Sequence, residues 1–212
     1  MKRSLPTLPT GRAGRAGGRG QRRGHGQERS PWQAPDRVPP LAERVALDLP
    51  LIAVAHVNQT PAATRLATQL CAAFAREGVA VSALITVDSA AGAPEAEAAL
   101  ASMLEAGARQ TVLLRRPERD AQAALEHALE PLAGSEWIVA LGNTLPQLFR
   151  PYFTVVVTGH RRALTSAEPL VLQAELEVTA PGDELATLLA RRLQTQWAER
   201  SQPVSGPGST QP

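Results

Sequence analysis

After Lys2, this chain of 212 residues contains no lysine. Nucleoside triphosphatases of the phosphate-loop type need a lysine that reaches the terminal phosphates, so that chemistry starts without its main cation. Cysteine is almost missing too. The one residue, Cys71, cannot close an internal disulfide, and its apolar helical surroundings suit a buried structural thiol rather than a nucleophile. Aromatic side chains make up 3% of the sequence, so the expected core is aliphatic, built from Ala, Leu and Val. No apolar run approaches the ~20 residues that cross a bilayer. Nor does a signal-peptide stretch of ~7–15 apolar residues follow Arg22-Arg23. The expectation is a soluble, cytoplasmic protein with no membrane partner.

The charge that is present is unevenly spread. The formal net charge is +2, yet residues 1–30 hold Lys2 and seven arginines against Glu28 alone. The remainder carries 14 arginines against 19 acids, so the part that can fold is mildly acidic. Residues 1–40 are rich in Gly, Arg and Pro and have little to bury, which predicts a disordered tail. Its Arg-Gly spacing suits contacts to nucleic-acid phosphates, but Trp32 is the only stacking ring. Nucleic acid is therefore expected as a partner only through this tail. Residues 201–212 read as a second tail, leaving 41–200 as one domain.

Within that domain, strand and helix patterns alternate. "LIAVAHV" (51–57) is a short, β-branched apolar run of the buried-strand type. A helix follows from Pro61 to about Glu77, started by Thr60-Pro61 and stopped at Gly78. Further strands are predicted at 79–87, 110–115, 136–141, 152–158 and 170–179, the last one nearer an edge because it partly alternates. Helices are predicted at 94–108, 119–133 and 144–149, and a last one over "GDELATLLARRLQTQWAER". This spacing predicts a three-layer α/β/α domain with a mainly parallel sheet, of the P-loop NTPase-like kind.

In such sheets ligands bind beyond the carboxyl ends of the strands, and the first strand–helix turn is the favoured phosphate site. Laid on the GxxxxGK[ST] pattern, residues 55–62 put Ala55 and Thr60 at the glycines, Pro61 at the lysine and Ala62 at the Mg²⁺-binding hydroxyl, with Thr64 nearby. Each lost charge-assisted contact costs ~1.5–3 kcal/mol, so hydrolysis of ATP or GTP at this turn is not expected. Asn58, Gln59 and Thr60 still offer donors at a helix start, and His56 emerges at the strand end.

Two further stretches carry a family resemblance. "ALASMLEAGARQTVLL" (99–114) resembles the R-x-E-A-G-A-x-x-V segment of molybdopterin-guanine dinucleotide biosynthesis protein B (MobB), a GTP-binding P-loop family. "EWIVALGNTLPQLFRPYFTVVVTG" (136–159) is similar to that family's Glu-Gly-Asn-Ser stretch, with Gly142-Asn143-Thr144 matching Gly-Asn-Ser. The likeness covers residues 50–160. It departs from the family where Leu141 replaces the acid before Gly-Asn and where Tyr152 follows Pro151 in place of Asp. Asp88-Ser89 stands where the family has a metal-proximal Asp.

The resemblance implies a non-catalytic accessory or binding protein in molybdenum-cofactor biosynthesis or delivery, with nucleotide hydrolysis lost. It implies GTP or a molybdopterin-type ligand, weakly held, a homodimer, and a cofactor-guanylylating enzyme or molybdoenzyme as partner. The candidate ligand-binding residues are Asn58, Gln59, Thr60, Asp88, Asn143, His160 and Arg161, and no catalytic or metal-ligating residue is assigned. His56, His127 and His160 lack zinc-ligand spacing. Two other readings stay open: an active nucleotide-dependent enzyme using Asn58, Asp88, Asn143 and Arg161, and an RNA-associated protein working through the Arg-Gly tail.

Overall fold

A computed structural model describes residues 45–47, 49–57, 60–87, 93–115, 121–158 and 174–202. The expected tail 1–40, most of the tail 201–212, the candidate site residues Asn58, Gln59, Asp88, His160 and Arg161, and the first part of the sixth predicted strand lie outside the described residues. All described elements belong to the unit Pro31–Pro212.

The elements run β1 (Val45–Ala46), β2 (Leu51–Val57), α1 (Thr60–Arg76), β3 (Val81–Val87), α2 (Ala93–Glu105), β4 (Thr111–Arg115), α3 (Ala121–Leu129), β5 (Trp137–Leu141), α4 (Thr144–Leu148), β6 (Phe149–Arg150), β7 (Phe153–Thr158), β8 (Leu176–Val178) and α5 (Asp183–Ser201). Three differ from the pattern reading for physical reasons. Helix α1 begins at Thr60, one residue before the predicted start at Pro61. The third helix stops at Leu129 and tightens into a 3-10 turn over Glu130–Leu132, because Pro131 has no N–H to donate and restricts the residue before it. The ribbon of β1 and β6 has only two residues in each strand, too few for a periodic signal.

Six strands form one sheet in the order β4–β3–β5–β2–β7–β8, with every pair parallel. Parallel neighbours need crossover connections, and helices on both faces supply them. One face packs Ile52, Val54, Ala83, Ile85, Val139 and Val155 against α1, α2 and α5. The other packs Leu51, Ala53, Leu84, Ile138 and Ala140 against α3 and α4. The molecule is therefore a three-layer α/β/α sandwich. Helix α1 meets the sheet through Ala63, Leu66, Ala67, Leu70, Cys71 and Phe74, the i, i+3, i+4, i+7 stripe of an amphipathic helix. Strand β8 lies at an edge, as its partial alternation predicted. It is three residues long and carries Glu177, features that discourage further strand addition.

The aliphatic expectation needs one correction. Four of the seven aromatic residues gather at the amino ends of the strands, on the α1–α5 face. Phe74 stacks on Trp137 at 5.1 Å, and Tyr152 and Trp197 meet Trp137 and each other edge-on. Such pairs add ~0.5–1.5 kcal/mol each beyond burial. Among the described residues, the opposite end of the sheet, where the carboxyl termini of the strands emerge, carries aliphatic, hydroxyl and amide side chains together with the His56 imidazole and the Glu95 carboxylate.

Candidate functional site

At that end the central strands separate. The β2–β5 ladder ends at Val54 and Leu141, and the Gly142 N–H then donates to the Val54 carbonyl at 3.0 Å. Beyond it the Asn143 side chain takes over from the backbone. Its Oδ1 accepts the His56 N–H at 2.9 Å, and its Nδ2 donates to the His56 carbonyl at 3.0 Å. The amide thus stands in for one more peptide unit of the ladder, clipping the end of β5 to the end of β2. Gly142 makes this geometry feasible. Its φ of +127° lies outside the range of L side chains, and an added Cβ would run into Thr86 Oγ1 and stand 2.7 Å from the Thr86 carbonyl.

Between the ends of β2, β3 and β5, and under α1 and α2, lies a cleft of about 270 Å³. Its floor is apolar, formed by Ile85, Leu141, Ala96 and Ala99. Its rim carries His56, Thr60, Thr64, Thr86, Asn143 and Glu95. Thr60 Oγ1 and His56 Nε2 stand 3.4 Å apart, and Thr86 Oγ1 donates to the Leu141 carbonyl at 3.4 Å. A concave site with an apolar floor and a few convergent polar groups, at the carboxyl ends of parallel strands, is where α/β sheets hold ligands.

Of the predicted site residues, the structure brings Thr60 and Asn143 together on this cleft. Asn58, Gln59, Asp88, His160 and Arg161 are outside the described residues, although β7 does run parallel to β2, so residue 158 ends on the same rim. Thr86 and Glu95 were missed. The available signals were a hydroxyl closing a buried strand and an acid in the first turn of the next helix. His127 is an exposed residue of α3, 3.2 Å from Glu130.

Among the described lining residues, no side chain offers a cation to the phosphates of a magnesium–nucleotide. Glu95 is the single formally charged lining side chain among the described residues, and it is an anion. Pro61 and Ala62 supply neither cation nor hydroxyl where a phosphate loop has both. No group of three or more His, Cys, Asp or Glu that could hold a metal occurs among the described residues. Cys71 is no nucleophile, since burial pushes its thiol up to about 12 and keeps it protonated.

No protein-family model, curated protein or solved structure matches the chain. The family resemblance therefore rests on its two sequence stretches, and both have local structural roles here. In Leu104-Glu105-Ala106-Gly107-Ala108, the Ala108 N–H bonds the Met103 carbonyl and the Gly107 N–H the Leu104 carbonyl, each at 3.0 Å. That is the Schellman ending of α2. Gly142-Asn143 forms the clip between β5 and β2.

Proposed function

We propose that this chain is a non-catalytic binding protein, an accessory in molybdenum-cofactor biosynthesis or delivery, whose cleft between β2, β3 and β5 takes a small ligand without hydrolysing nucleotide. One observation carries the binding half of this reading: a rim of hydroxyl, imidazole and amide groups over an apolar floor, at the sheet end where ligands are held, with no phosphate-binding cation among the described lining residues. The pathway half is supported by the ordered likeness of residues 99–114 and 136–159 to MobB. On that likeness the partner is a cofactor-guanylylating enzyme or a molybdoenzyme, met by a homodimer.

The test is calorimetric titration of the full chain with GTP, GDP and ATP, with and without Mg²⁺, at high salt to suppress binding by the arginine-rich tail. The expected result is no heat up to millimolar nucleotide. Micromolar, Mg²⁺-dependent binding, lost on Thr60→Pro, would overturn the reading, because the 55–62 turn would then cradle phosphate without lysine.

A further inference from the structure

We infer that Glu95 is the specificity-determining residue of the cleft, and that the ligand class it admits is a small amine, while carboxylates and phosphates are refused. The inference rests on the reading of this cleft as a ligand site. Two helices, α1 and α2, start at its rim, and each N-terminus carries about half a positive charge that by itself would favour an anion. Glu95 lies in the first turn of α2 and lines the cleft. Its full negative charge exceeds the half charge at the start of its own helix and sits on an exposed side chain that a ligand can touch. No described residue forms an ion pair with it. Helix α1 contributes no acid to its first turn, and Pro61 there removes one N–H donor.

The remaining lining suits an ammonium group on an apolar body. The hydroxyl oxygens of Thr60 and Thr64 can accept from N–H donors, and the Ile85, Leu141, Ala96 and Ala99 side chains receive hydrocarbon. A volume of about 270 Å³ lies just under the ~300–1,000 Å³ of drug-sized sites. A ligand of benzylamine size is therefore appropriate.

Benzylamine, benzyl alcohol and benzoate share one shape and differ in charge, so they serve as probes on the full chain. Methyl resonances of Ala96 and Ala99 report cleft occupancy and ignore anions held by the tail. Benzylamine should move them at millimolar concentration, benzyl alcohol should bind roughly two- to fivefold more weakly, the size of an exposed ion-pair effect, and benzoate should leave them in place. In Glu95→Gln the amine should fall to the level of the alcohol, and benzoate should begin to bind as the helix N-termini lose their counter-charge. Ala99→Trp should abolish the amine and alcohol responses, read from the Ala96 methyl, by filling the floor. Equal binding of benzoate and benzylamine, or an amine preference that survives Glu95→Gln, would overturn the role of Glu95. If benzyl alcohol still moves the same methyls in that case, the cleft stands as a ligand site. Silence of all three probes in the wild-type chain overturns both statements.

Discussion

Gly142 and Asn143 show how one turn can hold a sheet end open. Strands β2 and β5 must part for a cleft to exist, yet their last peptide groups still need partners, since an orphaned buried group costs ~1–3 kcal/mol. The Asn143 amide solves this by bonding both backbone groups of His56. It can do so only because Gly142 turns the chain at φ +127° with its α-carbon close to Thr86. Gly142→Ala should therefore destabilise the fold by about 3 kcal/mol, the sum of strained backbone and overpacking. Adding Thr86→Ala should recover only part of this, because the Thr86 carbonyl, 2.7 Å from the new Cβ, remains. Denaturant midpoints at unchanged m-value measure the effect. A loss below about 1 kcal/mol would mean that the turn relaxes freely and that the clip does not fix the cleft.

Helices α1 and α2 end in the same way and are packed through those ends. Gly78 and Gly107 occupy equivalent positions: Val79 bonds back to Phe74 and Ala108 to Met103. At the second ending the packing is tight. Gly107 has φ +108°, and a Cβ there would approach the Ala75 Cβ of α1 to 2.6 Å. Gly107→Ala should cost about 2–3 kcal/mol, whereas Gly134→Ala, at a residue with open space around it and no positive φ, should change little. Ala75→Gly in the Gly107→Ala background should restore part of the loss. If Gly107→Ala and Gly134→Ala prove equally mild, the two helix ends do not pack as described. The same ending explains what the sequence could and could not convey. Glu-Ala-Gly-Ala is readable as a helix stop from its glycine and the apolar residues around it. A family likeness placed on those four residues is less specific than its spelling suggests, because the Schellman geometry alone selects Gly at the third of them.

Across the whole molecule, legibility follows burial and distance along the chain. Strands β2, β3 and β5 are covered on both faces and therefore read as short, predominantly apolar runs. The β1–β6 ribbon and the four-ring aromatic cluster depend on pairings between distant segments that no local pattern encodes. The cleft falls between these cases. Its position follows from the fold class, but its rim joins His56 to Asn143, 87 residues away, and brings Glu95 in on a third element. Cys71 belongs to the legible part, and it gives a test of the core as a unit. Burial raises its thiol from 9.0 to about 12. Below about pH 9 the proton is bound in both the folded and the unfolded chain, and the stability linked to it is fully present. Between those values the unfolded chain releases the proton and the folded chain keeps it, so stability falls by about 1.4 kcal/mol per pH unit until about pH 12. Replacing Cys71 with Ala removes this term. Measured by denaturation at about pH 8 and about pH 10.5, wild type should lose roughly 2 kcal/mol more than Cys71→Ala across that interval. Parallel losses in the two proteins would show that the thiol ionises without the core opening. The α1–sheet interface would then be wetter than its packing implies.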